Sequence, residues 1–340
     1  MMGSETGSSG LRVAIVGATS LKGKELKAVL EERLFPVEKL ALLDDDEAVG
    51  QLTDFEGEPT FVCPIAPEAF TESDLVFFAS IAGAFTRAQW PRAAAARATL
   101  IDLTHALLDV PEASVRVPFL EEQLPPMANS GRPWYIAPHA ASIVLLALLA
   151  RLRAAFRLRQ VVANIFEPVS ERGAAGMAEL EEQTVRLLSF QEFPRAVFGA
   201  QVAFNLLPRY GAESRVRLEE TEDIIRREIG RCAPELAKPL ALRVIQAPIF
   251  HSHYLSVLVE LEEAFEVPWV ERALAGPQMT VLGPEEEPAA AVDVAGREEI
   301  VVGPVLRDPN RPGAFWLWTA VDNLRLTART AVEIAERHVG

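Results

Sequence analysis

The sequence predicts an α/β protein of two domains: a doubly wound parallel sheet, a mixed α+β domain after it, and a C-terminal helix returning to the first. Three observations carry this prediction. Short apolar runs alternate with helical stretches up to His139, starting with a strand that ends at Gly17. Past Ala140 a helix gives way to longer strands that alternate apolar and polar residues. The stretch Asn323 to His338 reads as one more helix.

Leu11 to Gly17 is a short apolar run ended by glycine, the pattern of a buried strand. Ala18 to Gly23 turns the chain into a helix over Lys24 to Arg33, and strands follow at Leu40–Leu43, Asp74–Ala79 and Thr99–Asp102. Helical material from Phe85 to Arg97 separates the last two. Strands and helices of this length predict right-handed crossovers and a parallel sheet. Tyr135 to Ser142 then has the layout of a strand-to-helix turn. A helix over Ser142–Phe156, a strand at Gln160–Phe166, and helices over Gly173–Phe190 and Leu218–Arg231 come next. Leu255, Val257, Val259 and Leu261 alternate with Ser256, Leu258, Glu260 and Glu262, as in a half-buried strand. Strands near Ile300–Leu306 and Phe315–Ala320 follow, with a solvated loop at Gly283–Pro288. No internal repeat is visible.

Composition sets the outer limits. With 340 residues, 49% hydrophobic and 24% charged, the chain forms cores and has room for roughly two domains of about 100–200 residues. Its net charge of −15 disfavours nucleic acid and anionic membrane partners, which need cationic surface. No apolar run reaches the about 18–20 residues that span a bilayer. Two cysteines, Cys63 and Cys232, stand far apart in no metal or redox spacing, as in a reduced, cytoplasmic protein. Residues 1–10 are rich in glycine and serine and read as a flexible leader.

Gly17, Ser20 and Gly23 follow a strand and open a helix, the context of a dinucleotide turn, with Thr19 inside it. The helix N-terminus offers free N–H groups to a pyrophosphate, although Ser20 adds a Cβ where the phosphates come nearest. Asp44 ends the second strand, where a carboxylate can accept from the adenosine ribose. Asp45, Asp46 and Glu47 follow with no arginine, so a 2′-phosphate is repelled and NAD is expected over NADP. A glycine-bearing turn and an acidic loop that bind nothing remain open as alternatives.

Five stretches resemble the aspartate-semialdehyde dehydrogenase family: Val16 to Thr19 with Gly23; Phe193-Pro194 with Ala203 to Pro208; Glu220-Thr221; His253 with Ser256-Val257; and Leu317-Trp318 with Asp322 to Arg325. The resemblance runs from about Leu11 to His338. It implies residues 11–139 with 321–340 as a Rossmann-like dinucleotide-binding domain, residues 140–320 as a substrate and dimerisation domain, and a homodimer. It also implies a chemistry that this chain does not carry. The family's nucleophilic cysteine position holds Ala140, its glutamine position Glu167, and its carboxylate-binding arginine position Gln246. The lysine position holds Val216, and the phosphate-site arginine is absent around Leu107-Leu108. Removing a covalent nucleophile costs on the order of 10⁶ in rate. An unpaired, buried substrate carboxylate adds about 3–5 kcal/mol.

By the same resemblance, the cysteine turn, glutamine strand and histidine strand bring His139, Glu167 and His253 into one cleft around Ala140. Three readings follow from this arrangement. The favoured one is a dimeric scaffold that keeps NAD as a ligand, because several functional groups change together while the apolar framework stays. Another is acid–base or hydride chemistry on a different small carbonyl compound, using His253, Glu167 and His139. The third is a metal held by the same three residues, with open coordination positions.

Overall fold

The computed structural model describes residues 10–339 apart from 46, 67, 82, 126–130 and 288. The leader expected over residues 1–10 therefore lies outside the described residues except for Gly10, as do Asp46 and Pro288. The described chain divides into two compact units. The first comprises residues 10–114, 131–137 and 328–339; the second comprises 115–125 and 138–327. The expected second domain began at 140 and ended at 320; residues 115–125 also belong to the second unit.

The first unit is built on an eight-stranded sheet. Its strands are β1 (Leu11–Val16), β2 (Val37–Asp44), β3 (Leu52–Phe55), β4 (Glu58–Pro64), β5 (Leu75–Phe78), β6 (Thr99–Asp102), β7 (Ser114–Val115) and β8 (Trp134–Ile136). They run in the order β3-β4-β2-β1-β5-β6-β8-β7, with the unit boundary falling inside β7. The pairs of β1 with β2 and β5, β2 with β4, and β6 with β5 and β8 are parallel. Pairing of β3 with β4 is antiparallel and adds a hairpin at one edge of the doubly wound sheet. The two-residue turn between them, Glu56-Gly57, has positive φ at both positions, the geometry that matches strand twist in a hairpin.

Helix α1 (Leu21–Glu32) starts three residues before the expected Lys24, because Ser20 caps it by accepting from the Gly23 N–H. Helix α2 (Gly83–Ala95) fills the β5–β6 crossover. Val13, Ile15, Leu26, Phe77 and Ile101 form the core, joined by Ala328, Ala331, Val332 and Ala335 of the C-terminal helix (Asn323–Val339). Thus residues 328–339 of that helix belong to the first unit.

The second unit carries a seven-stranded mixed sheet: β9 (Leu158–Glu167), β10 (Leu240–Gln246), β11 (His253–Leu261), β12 (Met279–Val281), β13 (Ile300–Val302), β14 (Leu306–Arg307) and β15 (Ala314–Val321). The order is β10-β9-β11-β15-β13-β12, with β14 on β15. The single strand expected over Ile300–Leu306 is interrupted at Gly303-Pro304, because proline has no N–H for a ladder. Helix α3 (Ala140–Ala155) is buried from Ala140 to Leu152, consistent with its apolar sequence. Helices α4 (Gly173–Leu188) and α5 (Leu218–Cys232) complete the frame of the site.

Cys232 ends α5 in a buried position, and burial followed by the charge of Glu228 pushes its thiol up to about 12. Cys63 is exposed on β4. Since the thiolate is the reactive form, Ellman's reagent at pH 8 should modify Cys63 in the native protein and Cys232 only after denaturation. Rapid native reaction of both thiols in wild type, and of the remaining thiol in Cys63→Ser, would contradict this packing.

Candidate functional site

In the first unit the glycine turn is locked by its own residues. Gly17 has φ +81°, and a Cβ there would collide with the Ser80 backbone; a Cβ on Gly23 would collide with the Gly17 carbonyl. Both glycines are therefore required for packing, apart from any phosphate. Ser20 Oγ accepts from the Gly23 N–H and donates to the Ala79 carbonyl at 2.7 Å. Asp44 Oδ2 accepts from Thr19 N–H at 2.8 Å and from Thr19 Oγ1 at 2.7 Å, while Oδ1 accepts from Asp45 N–H at 3.0 Å. A helix N-terminus that faces a turn fits a pyrophosphate. A ribose hydroxyl at Asp44 would have to share its carboxylate with Thr19.

In the second unit, α3 opens on a cap made by His139, whose Nδ1 accepts from the Ala141 N–H at 3.2 Å. Ala140 is the first helical residue, 1% exposed. Four N–H groups at a helix N-terminus lack intrahelical partners, and the aligned peptides favour negative charge there. Glu228 on α5 supplies that charge. Its Oε2 accepts from the His139 N–H at 3.0 Å and the Ser142 hydroxyl at 2.5 Å, with the side chain wholly buried.

His139 also meets His253, the first residue of β11, edge to face with ring centroids 4.9 Å apart. The carboxylate that joins them is Glu171, not Glu167. Glu171 Oε2 lies 3.8 Å from His139 Nε2, and Glu171 Oε1 lies 4.0 Å from His253 Nδ1. Among the described residues, these three form the one group with metal-ligand potential, one ligand atom of each lying within 4.8 Å of the others. Glu171 sits in a 3₁₀ turn, Val169–Arg172, between β9 and α4. Asn323 fixes it: Asn323 Nδ2 donates to Glu171 Oε1 at 2.7 Å, and Asn323 Oδ1 accepts from Ser252 N–H at 3.0 Å, next to His253.

Glu167, the last residue of β9, is committed elsewhere. Its Oε1 is 2.6 Å from Arg172 Nη2, and that guanidinium also donates to Thr221 Oγ1 and, through Nε, to the Tyr210 hydroxyl. Tyr210 donates in turn to Gln246 Oε1 at 2.7 Å, and Gln246 Nε2 donates to the Glu167 carbonyl at 2.8 Å. Burial raises the Glu167 carboxyl above its ordinary range against the pull of Arg172. Burial, the largest single influence, works to lower the Arg172 guanidinium, but the charge of Glu167 together with Tyr210 and Glu171 outweighs it and the net shift is upward. The expected meeting of His139, Glu167 and His253 is thus a meeting of His139 and His253 with Glu171. Glu167 is neutralised by the next-but-four residue. Adjacent Glu171-Arg172 after a strand was the available sequence signal, since one charge can face each way; Glu228 and Asn323 had no local signal.

Residues 149–326 match the family model described as semialdehyde dehydrogenase, dimerisation domain, and residues 12–123 match semialdehyde dehydrogenase, NAD binding domain. A USG-1 protein homolog of Pseudomonas aeruginosa is 33% identical, with 93% of each chain covered. Among solved structures, a probable aspartate-semialdehyde dehydrogenase from P. aeruginosa is 33% identical with TM-score 0.87, covering 97% of this chain and 98% of that one. Aspartate semialdehyde dehydrogenase II from Vibrio cholerae, complexed with ASA, is 25% identical with TM-score 0.86 over the same shares.

The Glu228 arrangement makes a measurable claim. Glu228→Ala removes two charge-assisted hydrogen bonds at a buried helix start and should cost about 3 kcal/mol of stability, whereas Glu228→Gln keeps an acceptor and should cost less than half as much. Urea denaturation of the two variants checks this; equal losses would mean that the charge at the helix start is irrelevant.

Proposed function

Because the chain belongs to the semialdehyde dehydrogenase family, we propose that it is a member without the family's phosphorylating aldehyde dehydrogenase reaction, acting as a dimeric, nucleotide-binding scaffold. The observation that carries this reading is the start of α3. The family resemblance places a nucleophilic thiolate at Ala140, and a helix N-terminus is a position that depresses a thiol pKa. Here the residue is a buried methyl, and the field of the helix is taken up by Glu228. Cys63 lies on β4 and Cys232 at the far end of α5, so neither stands in for it.

The neighbouring substitutions agree with this. Glu167 and Gln246, at the family's glutamine and arginine positions, are committed to Arg172 and Tyr210, and Gln246 also donates to the Glu167 carbonyl. A substrate carboxylate would find no arginine at position 246.

Nucleotide binding is supported by the match to the NAD binding domain and by the glycine turn that opens α1. Asp44, Asp45 and Glu47 favour NAD over NADP through repulsion of a 2′-phosphate. The homodimer is supported by the match to the dimerisation domain and by the outer face of the second sheet. There Trp316 and Trp318 are 37% and 38% exposed, and Trp318 stacks with Phe166 and Tyr254 at 5.9 and 5.5 Å. Apolar, aromatic faces of this kind are what association covers. No helix among the described residues is long and apolar enough to cross a membrane, and the reduced-thiol composition supports a cytoplasmic location.

A second reading, non-covalent acid–base chemistry on another small carbonyl compound, is favoured by the contact of His139 and His253, with Glu171 in the place first given to Glu167.

Purified protein supplied with aspartate semialdehyde, phosphate and NAD or NADP should form no reduced nucleotide in steady state, while NADH quenches its tryptophan fluorescence saturably and more tightly than NADPH. Sustained, phosphate-dependent turnover would refute the loss of activity, and a flat fluorescence titration of nucleotide-free protein would remove the nucleotide from the scaffold.

A further inference from the structure

The His139–Glu171–His253 group has a donor set that the scaffold does not use. Two imidazoles and one carboxylate suit borderline divalent ions such as Zn²⁺ or Co²⁺, whereas Mg²⁺ and Ca²⁺ call for oxygen ligands. We propose that His139 Nε2, His253 Nδ1 and Glu171 bind one divalent transition-metal ion of the zinc class in the second unit. The inference does not depend on the scaffold reading, and it is an alternative use of the three groups that the acid–base reading also invokes.

Geometry comes first. Donors bonded to tetrahedral zinc at about 2.0–2.1 Å stand roughly 3.3–3.4 Å apart. The two Glu171 contacts, at 3.8 and 4.0 Å, therefore need to shorten by about half an ångström each, and the widest separation in the group, within 4.8 Å, by up to about 1.4 Å. The three ligands come from the cap of α3, the 3₁₀ turn after β9 and the first residue of β11. One ion would tie together segments distant in the chain.

The surroundings are those of a held ligand set. The three side chains are 4%, 6% and 0% exposed, so bulk water competes weakly. Asn323 orients the carboxylate through a 2.7 Å bond to Glu171 Oε1, as outer partners do in metal sites. The same amide accepts from Ser252, whose φ of +78° is a strained setting for a serine and places His253 at the strand start.

His139 adds a specific consequence. Because its Nδ1 accepts from the Ala141 N–H, the proton of the neutral ring is assigned to Nε2. An ion on Nε2 moves that proton to Nδ1 and releases the Ala141 N–H. The Ala141 amide therefore reports metal binding.

The test uses untagged, chelator-stripped protein titrated with Zn²⁺ by calorimetry and with Co²⁺ by visible absorption. One ion should bind per chain with micromolar or tighter affinity, raise the thermal midpoint and shift the Ala141 amide resonance. Glu171→Gln, which keeps size and shape, should weaken binding at least tenfold, as should His253→Ala and His139→Ala; Cys63→Ser should leave it unchanged. Absence of saturable binding, or binding that Glu171→Gln leaves intact, overturns the site. Because the readouts are binding and spectra, a failed turnover assay does not bear on them.

Discussion

The start of α3 is the constraint on which the second unit turns. A helix buried from Ala140 to Leu152 cannot leave its first N–H groups to water, so the protein must supply acceptors from within. Glu228 on α5 accepts from the His139 N–H and from the Ser142 hydroxyl beside it, and His139 accepts from the Ala141 N–H through its own ring. This fixes where the His139 imidazole points. Once Nδ1 is committed to Ala141, Nε2 faces Glu171, and the edge of the ring meets His253. A capping requirement of the helix thus sets the geometry of the candidate site, and the site in turn inherits the rigidity of a buried helix.

Two carboxylates four positions apart divide the remaining charge. Glu167 ends a strand whose inward face is apolar, and a buried carboxylate there needs a cation. Arg172 reaches back to it and carries Tyr210 and Thr221 with it. Glu171, on the same 3₁₀ turn as Arg172, is left to face the imidazoles, with Asn323 holding its other side. One short turn therefore neutralises one acid and presents the other. If Arg172 were absent, Glu167 would be a buried, unpaired acid, and its carboxyl would be driven to the neutral form by burial.

What the sequence makes legible is local. β5 is a continuous apolar run, β1 is one from Val13 onward, β6 is apolar at its centre, and β11 alternates, so periodicity alone finds them. The β3–β4 hairpin was missed because its strands are short and polar on one side; Glu56-Gly57 was the turn signal. β10 was missed for a related reason: Leu242 and Val244 alternate inward, but the series ends in Gln246, a polar residue that is buried by pairing with Tyr210. In the site, the resemblance pointed to Glu167 because the position matches, whereas the chemistry moved to Glu171 because a turn redirected it. Glu228 reaches His139 across 89 positions, and Asn323 reaches Glu171 across 152. Contacts of that span leave no periodic trace, and only the packed structure brings them together.

The nucleotide turn shows the opposite difficulty, a motif that is easily read and physically ambiguous. Gly17 and Gly23 are demanded by close packing against Ser80 and within the turn itself, so the glycines would persist whether or not a phosphate ever bound. The informative residue is Asp44. A carboxylate offers about four acceptor positions, and Thr19 N, Thr19 Oγ1 and Asp45 N already use three. A ribose hydroxyl can take the fourth or displace the Thr19 hydroxyl, which can rotate away at the cost of one hydrogen bond, about 1 kcal/mol net. That cost is small against the binding of a dinucleotide, so the lock on Asp44 is compatible with the nucleotide-binding reading. The same lock ties the end of β2 to the turn that opens α1 through the protein's own groups.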